Sequence, residues 1–539
     1  MCGIVGCLRE DLTHDRARSL IGNMCATIRH RGPDDEGLYI APPVALGMRR
    51  LSIIDVDGGH QPIGNENGMI QVVFNGEIYN HDVLRQQLIQ RKHQFRTRSD
   101  SEVIVHSYEE YGDGCWARLW GMFAIALWDG ANRRLLLARD RFGKKPLYYY
   151  ACANGIIFGS ELKTLLCDHE VPRRVDPAAI DAYFTFGYVP GPRTVFEGVR
   201  QVPPGASLGW ELGKWTARRY WSLQPMPPID ISESEAADET RRLLRDAVRL
   251  RLMSDVPLGA FLSGGIDSSA VVACMAEMAT QRVQTFSIGF MEADFSELNY
   301  ACQVAQALGT DHHAEIVHPD VVELLPELVR AVDEPFADES ILPTYCLAKM
   351  TRRHVTVALS GDGGDETFGG YTRYLVGLRN AYPTPLPRPA RKLAGTIGER
   401  LPDWVRGKRR LRWLNLSPEE RYLDGLTYFD RVSRAHLFAP SFRAALEDAD
   451  RLDSDFNAMG DVGGGDILRG MQYLDFASYL PSDILVKVDR ASMWTSLEVR
   501  APFLDHRLVE FALSLPAHYH VGHTAVSYTH LRAHETGRN

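Results

Sequence analysis

The C-terminal half of the sequence predicts an α/β fold, doubly wound around a mostly parallel sheet, behind an N-terminal region of different texture. Three observations point there. At 539 residues the chain is too long for one core. Between Val256 and Leu359, buried apolar runs alternate with helical patterns at the spacing of βα units. The first of those runs, Val256 to Leu262, feeds into Ser263-Gly264-Gly265-Ile266-Asp267-Ser268-Ser269 and then into the apolar-periodic Ala270 to Ala276. That is a strand, a glycine-hinged turn and a helix start.

Composition narrows the field. A formal net charge of −9 gives no footprint for nucleic acid. No apolar run approaches the ~18 residues of a membrane span, and the N-terminus shows no basic-then-apolar leader. Nine cysteines lie without a C-x-x-C pair, so neither a disulfide framework nor a zinc knuckle is expected. The expected setting is the cytoplasm, with those thiols reduced.

In chain order, Met1-Cys2-Gly3-Ile4-Val5-Gly6 places Cys2 at the head of a buried strand. Removing Met1 would put a thiol (reference pKa about 8.5) and an α-amine (about 8) on one residue. The amine can take the thiol's proton as sulfur attacks a carbonyl and return it to a leaving amine; a chance Met-Cys start is the other reading. Arg29 to Asp34 is a charged turn, and Met48 to Asp55 carries arginine into an apolar strand. Gln71 to Phe74 is a strand ending in Asn75-Gly76-Glu77. A guanidinium can clamp an α-carboxylate and a carboxylate can receive an α-ammonium; an Asn amide beside a Gly N–H can form an oxyanion hole. Asp100 opens a helix with Glu102 in its first turn, and either holds a ligand ammonium or caps that helix. Strands are expected at Gly121–Trp128, Arg134–Ala138, Leu147–Tyr150 and Gly155–Gly159, with Arg139 to Leu147 as a tight structural connection. From Val171 to Asp230 proline and glycine recur around short strands at Ala206–Leu208 and Arg219–Trp221. This reads as an inter-domain crossing, with Phe184, Phe186 and Tyr188 as interface core.

Ser232 to Met253 is a helix with an apolar stripe (Leu243, Leu244, Ala247, Val248, Leu252) and arginines on solvated faces. Strands at Thr285–Phe290, Ala314–Val317 and His354–Leu359 follow, separated by helices. Ligands of such sheets sit outside the carboxyl ends of the strands, which brings the Ser263–Ser269 turn to the loop Ser360–Tyr371. A helix start, small hydroxyls and turned N–H groups suit an anion. The order of a Walker loop is absent, and an ordinary joint that binds nothing is the alternative. Asp362, Asp365 and Glu366 in the second loop repel one another unless a cation is present. Mg²⁺ carried by ATP phosphates suits them. Ala331 to Asp338 reads as an acceptor-side loop or a surface turn, and Arg406 to Arg410 as a solvated cluster. Lys487, Asp489, Arg490 and Arg500 are expected to pair around the active-site wall.

SGGIDSS resembles the pyrophosphate loop of the ATP-pyrophosphatase superfamily. Together with Met1 to Gly6, the chain resembles the glutamine-hydrolysing asparagine synthetases from Cys2 to about Pro516. The resemblance implies an N-terminal α+β Ntn-hydrolase sandwich, two antiparallel sheets between helices, then an α/β domain of the adenine nucleotide alpha hydrolase type. Boundaries are expected at 2–210 (glutaminase), 211–234 (linker), 235–526 (synthetase) and 527–539 (atypical tail). Cys2 would be the nucleophile. Arg50, Leu51, Ser52, Ile53 and Ile54 would line the glutamine site, with Arg50 on the α-carboxylate. Asn75 and Gly76 would form the oxyanion hole, Glu77 would face the substrate, and Asp100 would bind the α-ammonium. Ser263, Gly264, Gly265, Asp267 and Ser268 would cradle pyrophosphate, while Leu262, Ile288, Ser360 and Gly361 would frame adenosine. Asp267 and Asp365 would hold Mg²⁺. Asp362 stands where some members carry Glu, at the position tied to the acyl-adenylate.

The implied activity is ATP-dependent amidation of a carboxylate, aspartate to asparagine first, with ammonia from glutamine and an acyl-AMP intermediate. A cell-wall, polysaccharide or secondary-metabolite carboxylate is one alternative. A glutaminase or nucleotide-binding partner protein with a silent synthetase domain is another. Glutamine, ATP and the acceptor are the expected partners, with a homodimer as an open expectation and neither nucleic acid nor membrane. Family members also carry a C-terminal Lys-x-Gly-Phe type motif whose lysine contacts phosphates. Here no lysine follows Lys487, and Ser527 to Thr536 matches no part of that pattern.

Overall fold

Small and β-branched residues at the N-terminus build a sandwich. Its strands are Gly3–Arg9 (β1), Asp35–Ala41 (β2), Val44–Arg50 (β3), Ile63–Gly64 (β4), Ile70–Ile78 (β5), Gly121–Asp129 (β6), Arg134–Arg139 (β7), Tyr148–Cys152 (β8), Gly155–Gly159 (β9), Val199–Gln201 (β10), Ala206–Glu211 (β11) and Lys214–Arg219 (β12). They form two antiparallel six-stranded sheets, ordered β10-β8-β9-β1-β3-β2 and β12-β11-β7-β6-β5-β4. The computed structural model describes residues 2–152, 154–211, 213–224, 226–291, 296–318, 320–380, 386–401, 405–448 and 466–521; the expected tail at 527–539 lies outside them.

Both faces of each sheet are covered. On β6, Phe123, Ile125 and Leu127 pack under the helices His81–Gln90 and Asp100–Tyr111, while Ala124, Ala126 and Trp128 meet β1, β3 and β9 of the other sheet. The helix His14–Thr27 closes the far side through Ala17, Ile21 and Met24. Strands buried on two faces read as continuous apolar runs, and each large side chain so buried contributes about 1.5–3 kcal/mol. The hairpin β11–β12 corrects the expected linker at 211–234. Residues 214–219 continue the second sheet, Leu208 opposite Ala217, and Tyr220 and Trp221 follow the strand instead of forming one.

The second domain holds Leu258–Phe261 (β13), Gln284–Gly289 (β14), Asp311–Ile316 (β15), Val357–Leu359 (β16) and Glu498–Arg500 (β17), all parallel, ordered β15-β14-β13-β16-β17. Helices Glu233–Arg251 and Ile266–Met278 cover one face through Leu244, Val248, Val271 and Met275; Ile341–Thr351 covers the other through Ala348 and Met350. The strand order reverses between β13 and β16, the switch point where such sheets bind ligands. β17 is a strand the sequence did not suggest. The first helix starts in a capping box, Ser232 with Glu235. Arg251, expected on its solvated face, is buried instead: it pairs with Asp505 at 3.2 Å and lies over the Tyr79 ring. A continuous helical stretch from Ile467 to Met493 widens to π-helical winding over Asp475–Ile484, where Pro481 sits.

Candidate active sites

Cys2 lies just ahead of β1, buried. Its backbone N–H donates to Asn75 Oδ1 at 3.1 Å and its carbonyl accepts from Arg31 Nε at 3.2 Å. With Oδ1 so committed, Asn75 Nδ2 is left buried and without a partner among the described residues. A buried amide donor left open beside a thiol is a place for an oxyanion. The next residue must be glycine: Gly76 has φ 150°, and a Cβ there would stand 1.9 Å from the Met122 carbonyl oxygen on β6. Burial pushes the Cys2 thiol up, so its proton needs a base.

The remaining N-terminal candidates ring the same end of the sandwich. Arg50 donates to the carbonyls of Ile54, Asp55 and Val56 at 3.0, 2.7 and 2.9 Å, bending that loop around its guanidinium. Leu51 and Ile53 are buried against Val357 of β16, with Ile54 packed beside them, and Ser52 N–H donates to Asp34 at 2.9 Å. Arg50, Ser52, Asp34 and His60 open onto a cleft of about 550 Å³ whose other wall is Val256, Arg352 and Thr356 of the second domain. Glu77 is buried, 3.3 Å from Arg500 Nη2. Burial, then Glu498, pushes its carboxyl well up, against the pull of Arg500. The capping reading of Asp100 is corrected: Ser99 caps the helix by accepting from Ser101 N–H, and Asp100 is the first helical residue. Its Oδ2 accepts from Ile78 N–H at 2.8 Å, tying the helix to the end of β5.

The second cluster stands at the carboxyl ends of β14, β13 and β16. Ser263 N–H donates to Ser268 Oγ at 3.2 Å, the two hydroxyls are 3.0 Å apart, and Gly265 N–H donates to Ser263 Oγ at 3.2 Å. Gly264 has φ 84°, and a Cβ on it would meet Tyr300 Cβ at 2.5 Å. Leu262 is buried beneath this turn, its carbonyl accepting from Ser287 Oγ, and Ile288 follows on β14. The Ser360 loop closes directly on it. A Cβ on Gly361 would lie 2.9 Å from Ser268 N, and one on Gly364 would lie 2.4 Å from Asp267 Cγ. Asp365 carries its carboxylate against Gly370, where a Cβ would meet Oδ1 at 2.0 Å. Ser360 Oγ donates to Asp362 Oδ2 at 2.6 Å, and burial pushes that carboxyl up. Facing it is Lys487, 2.9 Å from Asp338 and 2.8 Å from Ser340 Oγ. Against the cost of burial, Asp338 holds the ammonium above its ordinary value.

Residues 1–221 match the glutamine amidotransferase domain and residues 239–527 match asparagine synthase. The chain is 35% identical over 521 residues to asparagine synthetase [glutamine-hydrolyzing] 1 of Bacillus subtilis, covering 96% of this chain and 81% of that one. It belongs to the glutamine-hydrolysing asparagine synthetase family. Asparagine synthetase [glutamine-hydrolyzing] 3 of the same organism is 31% identical over 537 residues (96% and 81%). Amidase chyE of Penicillium rubens is 30% identical over 534 residues (91% and 77%).

In this member of the asparagine synthetase family, buried charges that sequence reasoning assigned to the active-site wall instead join the two domains. Arg31 forks onto Asp489 at 2.8 and 3.0 Å and reaches Glu161 at 2.9 Å. Arg490 shares Glu161 at 2.9 Å, and Lys163 pairs with Asp333 at 3.0 Å. Arg500 faces Glu77. Of the expected quartet, Lys487 acts on the Asp362 carboxyl through its charge, and Arg500 holds the same loop through its backbone carbonyl, which accepts the Ser360 N–H at 2.9 Å. The Ala331–Asp338 stretch divides likewise, with Glu334 accepting from Val195 N–H at 3.2 Å while Asp338 turns to Lys487. Phe184 packs edge-on against Phe429 and Phe438, and Tyr188 lies 6.2 Å from Tyr479. Nothing in local spacing signals the Arg31–Asp489 or Glu77–Arg500 pairs, whose members are hundreds of residues apart.

Proposed function

We propose that the protein amidates a carboxylate, aspartate to asparagine, driven by ATP and with glutamine as nitrogen source. The observation that carries this reading is the closeness of the two glycine-rich turns, with Asp267 against Gly364. In the N-terminal site, the Cys2 thiol attacks the glutamine amide once the α-amine freed by loss of Met1 takes its proton. Asn75 Nδ2 and Gly76 N–H receive the oxyanion; Arg50 and Asp100 hold the α-carboxylate and α-ammonium. In the second site Ser263 to Ser268 cradles pyrophosphate, Leu262, Ile288, Ser360 and Gly361 frame adenosine, and the acceptor becomes an acyl-adenylate beside Asp362. The donors there are carboxylate and hydroxyl oxygens and backbone N–H groups, which fit a hard ion on a triphosphate. Asp267 and Asp365 would hold Mg²⁺, which supplies charge neutralisation at the phosphates. Because water competes for an acyl-adenylate, the packed domain interface has a purpose: ammonia crosses inside it.

Incubating the full chain with glutamine, aspartate and Mg·ATP should give asparagine, AMP and pyrophosphate alongside glutamate. Glutamate alone reduces the protein to a glutaminase, and the absence of every product leaves a binding role. Cys2→Ala should abolish glutamine use while ammonia-dependent synthesis persists; loss of both refutes the division of labour between the sites.

A further inference from the structure

The helix Asp100–Tyr111 presents Asp100 to the Cys2 site from its first turn, and something different from its last. His106 and Glu109 lie three positions apart on one face towards that end, about 9 and 14 Å along the axis from Asp100. His93 reaches them from the preceding loop, where Lys92 adopts φ 75° and His93 N–H donates to the Leu88 carbonyl at 3.1 Å. Two imidazoles and a carboxylate converge: one atom from each of His93, His106 and Glu109 falls within 4.8 Å of the others. Glu109 Oε2 is 2.8 Å from His106 Nδ1 and 3.5 Å from His93 Nδ1. Zinc bonds of 2.0–2.2 Å at a tetrahedral centre put ligand atoms about 3.3 Å apart, and the two observed distances bracket that value.

The outward atoms of the trio are also occupied in the pattern a metal requires. His106 Nε2 faces Glu102 Oε1 at 3.7 Å, and His93 Nε2 faces Glu110 Oε2 at 3.3 Å. Glu109 Oε1 accepts from Asn65 Nδ2 at 2.8 Å. Glu102 is pinned by Arg96 N–H and by Thr97 N–H and hydroxyl at 2.7–2.8 Å, and Glu110 by Arg91. Each imidazole therefore has Nδ1 turned inward and Nε2 facing a carboxylate, hydrogen-bonded in His93 and ion-paired at longer range in His106, and the ligating carboxylate is itself hydrogen-bonded. Such outer partners orient metal ligands and raise their basicity. His106 is almost fully buried and His93 mostly so, leaving one side for a water ligand.

We infer that His93 Nδ1, His106 Nδ1 and Glu109 Oε2 form a binding site for one divalent transition-metal ion of the zinc class. It pins the end of the Asp100 helix to the loop before it. Imidazole with carboxylate suits zinc and its borderline neighbours over magnesium or calcium.

The test uses the full-length chain, stripped with a chelator and titrated with Co²⁺, then Zn²⁺. One equivalent of Co²⁺ should give visible bands of nitrogen–oxygen ligation, no sulfur-to-metal band in the near ultraviolet, and full displacement by Zn²⁺. His93→Gln and Glu109→Gln, both at partly exposed positions, should each remove the bound equivalent while glutamine hydrolysis persists. Glu110→Gln should weaken it about 10–100-fold. Zn²⁺ should raise the Tm of the unaltered protein and leave those of the first two variants unmoved. The site is overturned if the unaltered protein binds no Co²⁺, if the spectrum reports thiolate, or if binding survives in both His93→Gln and Glu109→Gln. The imidazoles would then be ion-paired to their carboxylates and nothing more.

Discussion

Asn75 gives its two amide atoms different tasks: Oδ1 takes the Cys2 N–H, and Nδ2 stays open. Asn75→Ala should therefore lower kcat for glutamine hydrolysis about 10²–10³-fold with little change in KM. A rise in KM alone would reassign Asn75 to substrate binding. Glu334 makes a different kind of prediction. Burial raises its carboxyl from the ordinary 4.5 to about 8, and Val195 N–H opposes only part of that. The folded state then binds a proton that the unfolded state has released, so stability falls as pH rises from about 4.5 towards 8. Glu334→Gln should flatten that slope. Tm measured from pH 5 to 9 should show the variant gaining on the unaltered protein up to about pH 8 and levelling off above it, and parallel curves would place the proton elsewhere. Asn-Gly-Glu could be read from the sequence because its chemistry is local; Glu334 could not, because the groups it meets, Val195 N–H and the Arg490 charge, lie far from it in the chain.

At the scale of elements, the two glycine-rich turns proposed for the phosphates approach so closely that glycine is a spatial requirement. At Gly364 the atom in the way is the tip of the Asp267 carboxylate, not backbone. Gly364→Ala should therefore leave the fold intact and push Asp267 aside. Misplacing a reactive group by about 1 Å costs on the order of 10²-fold. Pyrophosphate release should fall by at least about that factor with Tm and glutaminase rate unchanged, and an unaltered release would detach Asp267 from the phosphates. Both turns were legible in the sequence as glycine-hinged loops at strand ends, since glycine, hydroxyl and carboxylate follow an apolar run in each. β17 was not. Glu498 and Arg500 on a three-residue strand resemble a polar turn, whereas a parallel strand covered on both faces ordinarily reads as apolar. Their charges are tolerated because they are paired, Arg500 Nε on Glu498 at 2.5 Å. The π-helical stretch around Pro481 likewise shows as a broken helix in sequence and as continuous winding in space.

At the scale of the whole molecule, one residue touches both sites. Arg500 accepts the Ser360 N–H at 2.9 Å through its carbonyl, fixing the start of the loop proposed for ATP. Through its side chain it reaches Glu77 of the site proposed for glutamine at 3.3 Å and the carbonyls of Arg251 and Met253 at 2.7 and 2.6 Å. A shift of the Ser360 loop cannot leave Glu77 where it was unless this fork lets go. The two sites should accordingly be coupled in binding, with each ligand changing the affinity of the other by the same factor, of order 5–150-fold. Arg500→Lys retains the charge and loses the planar fork, so it tests the linkage without emptying the interface of its cation. The dissociation constant of Mg·ATP, measured with and without glutamate at the N-terminal site, should differ in the unaltered protein and converge in Arg500→Lys. If the variant keeps the factor, coupling runs through Arg31 and Asp489, and Arg31→Lys should then be the substitution that abolishes it.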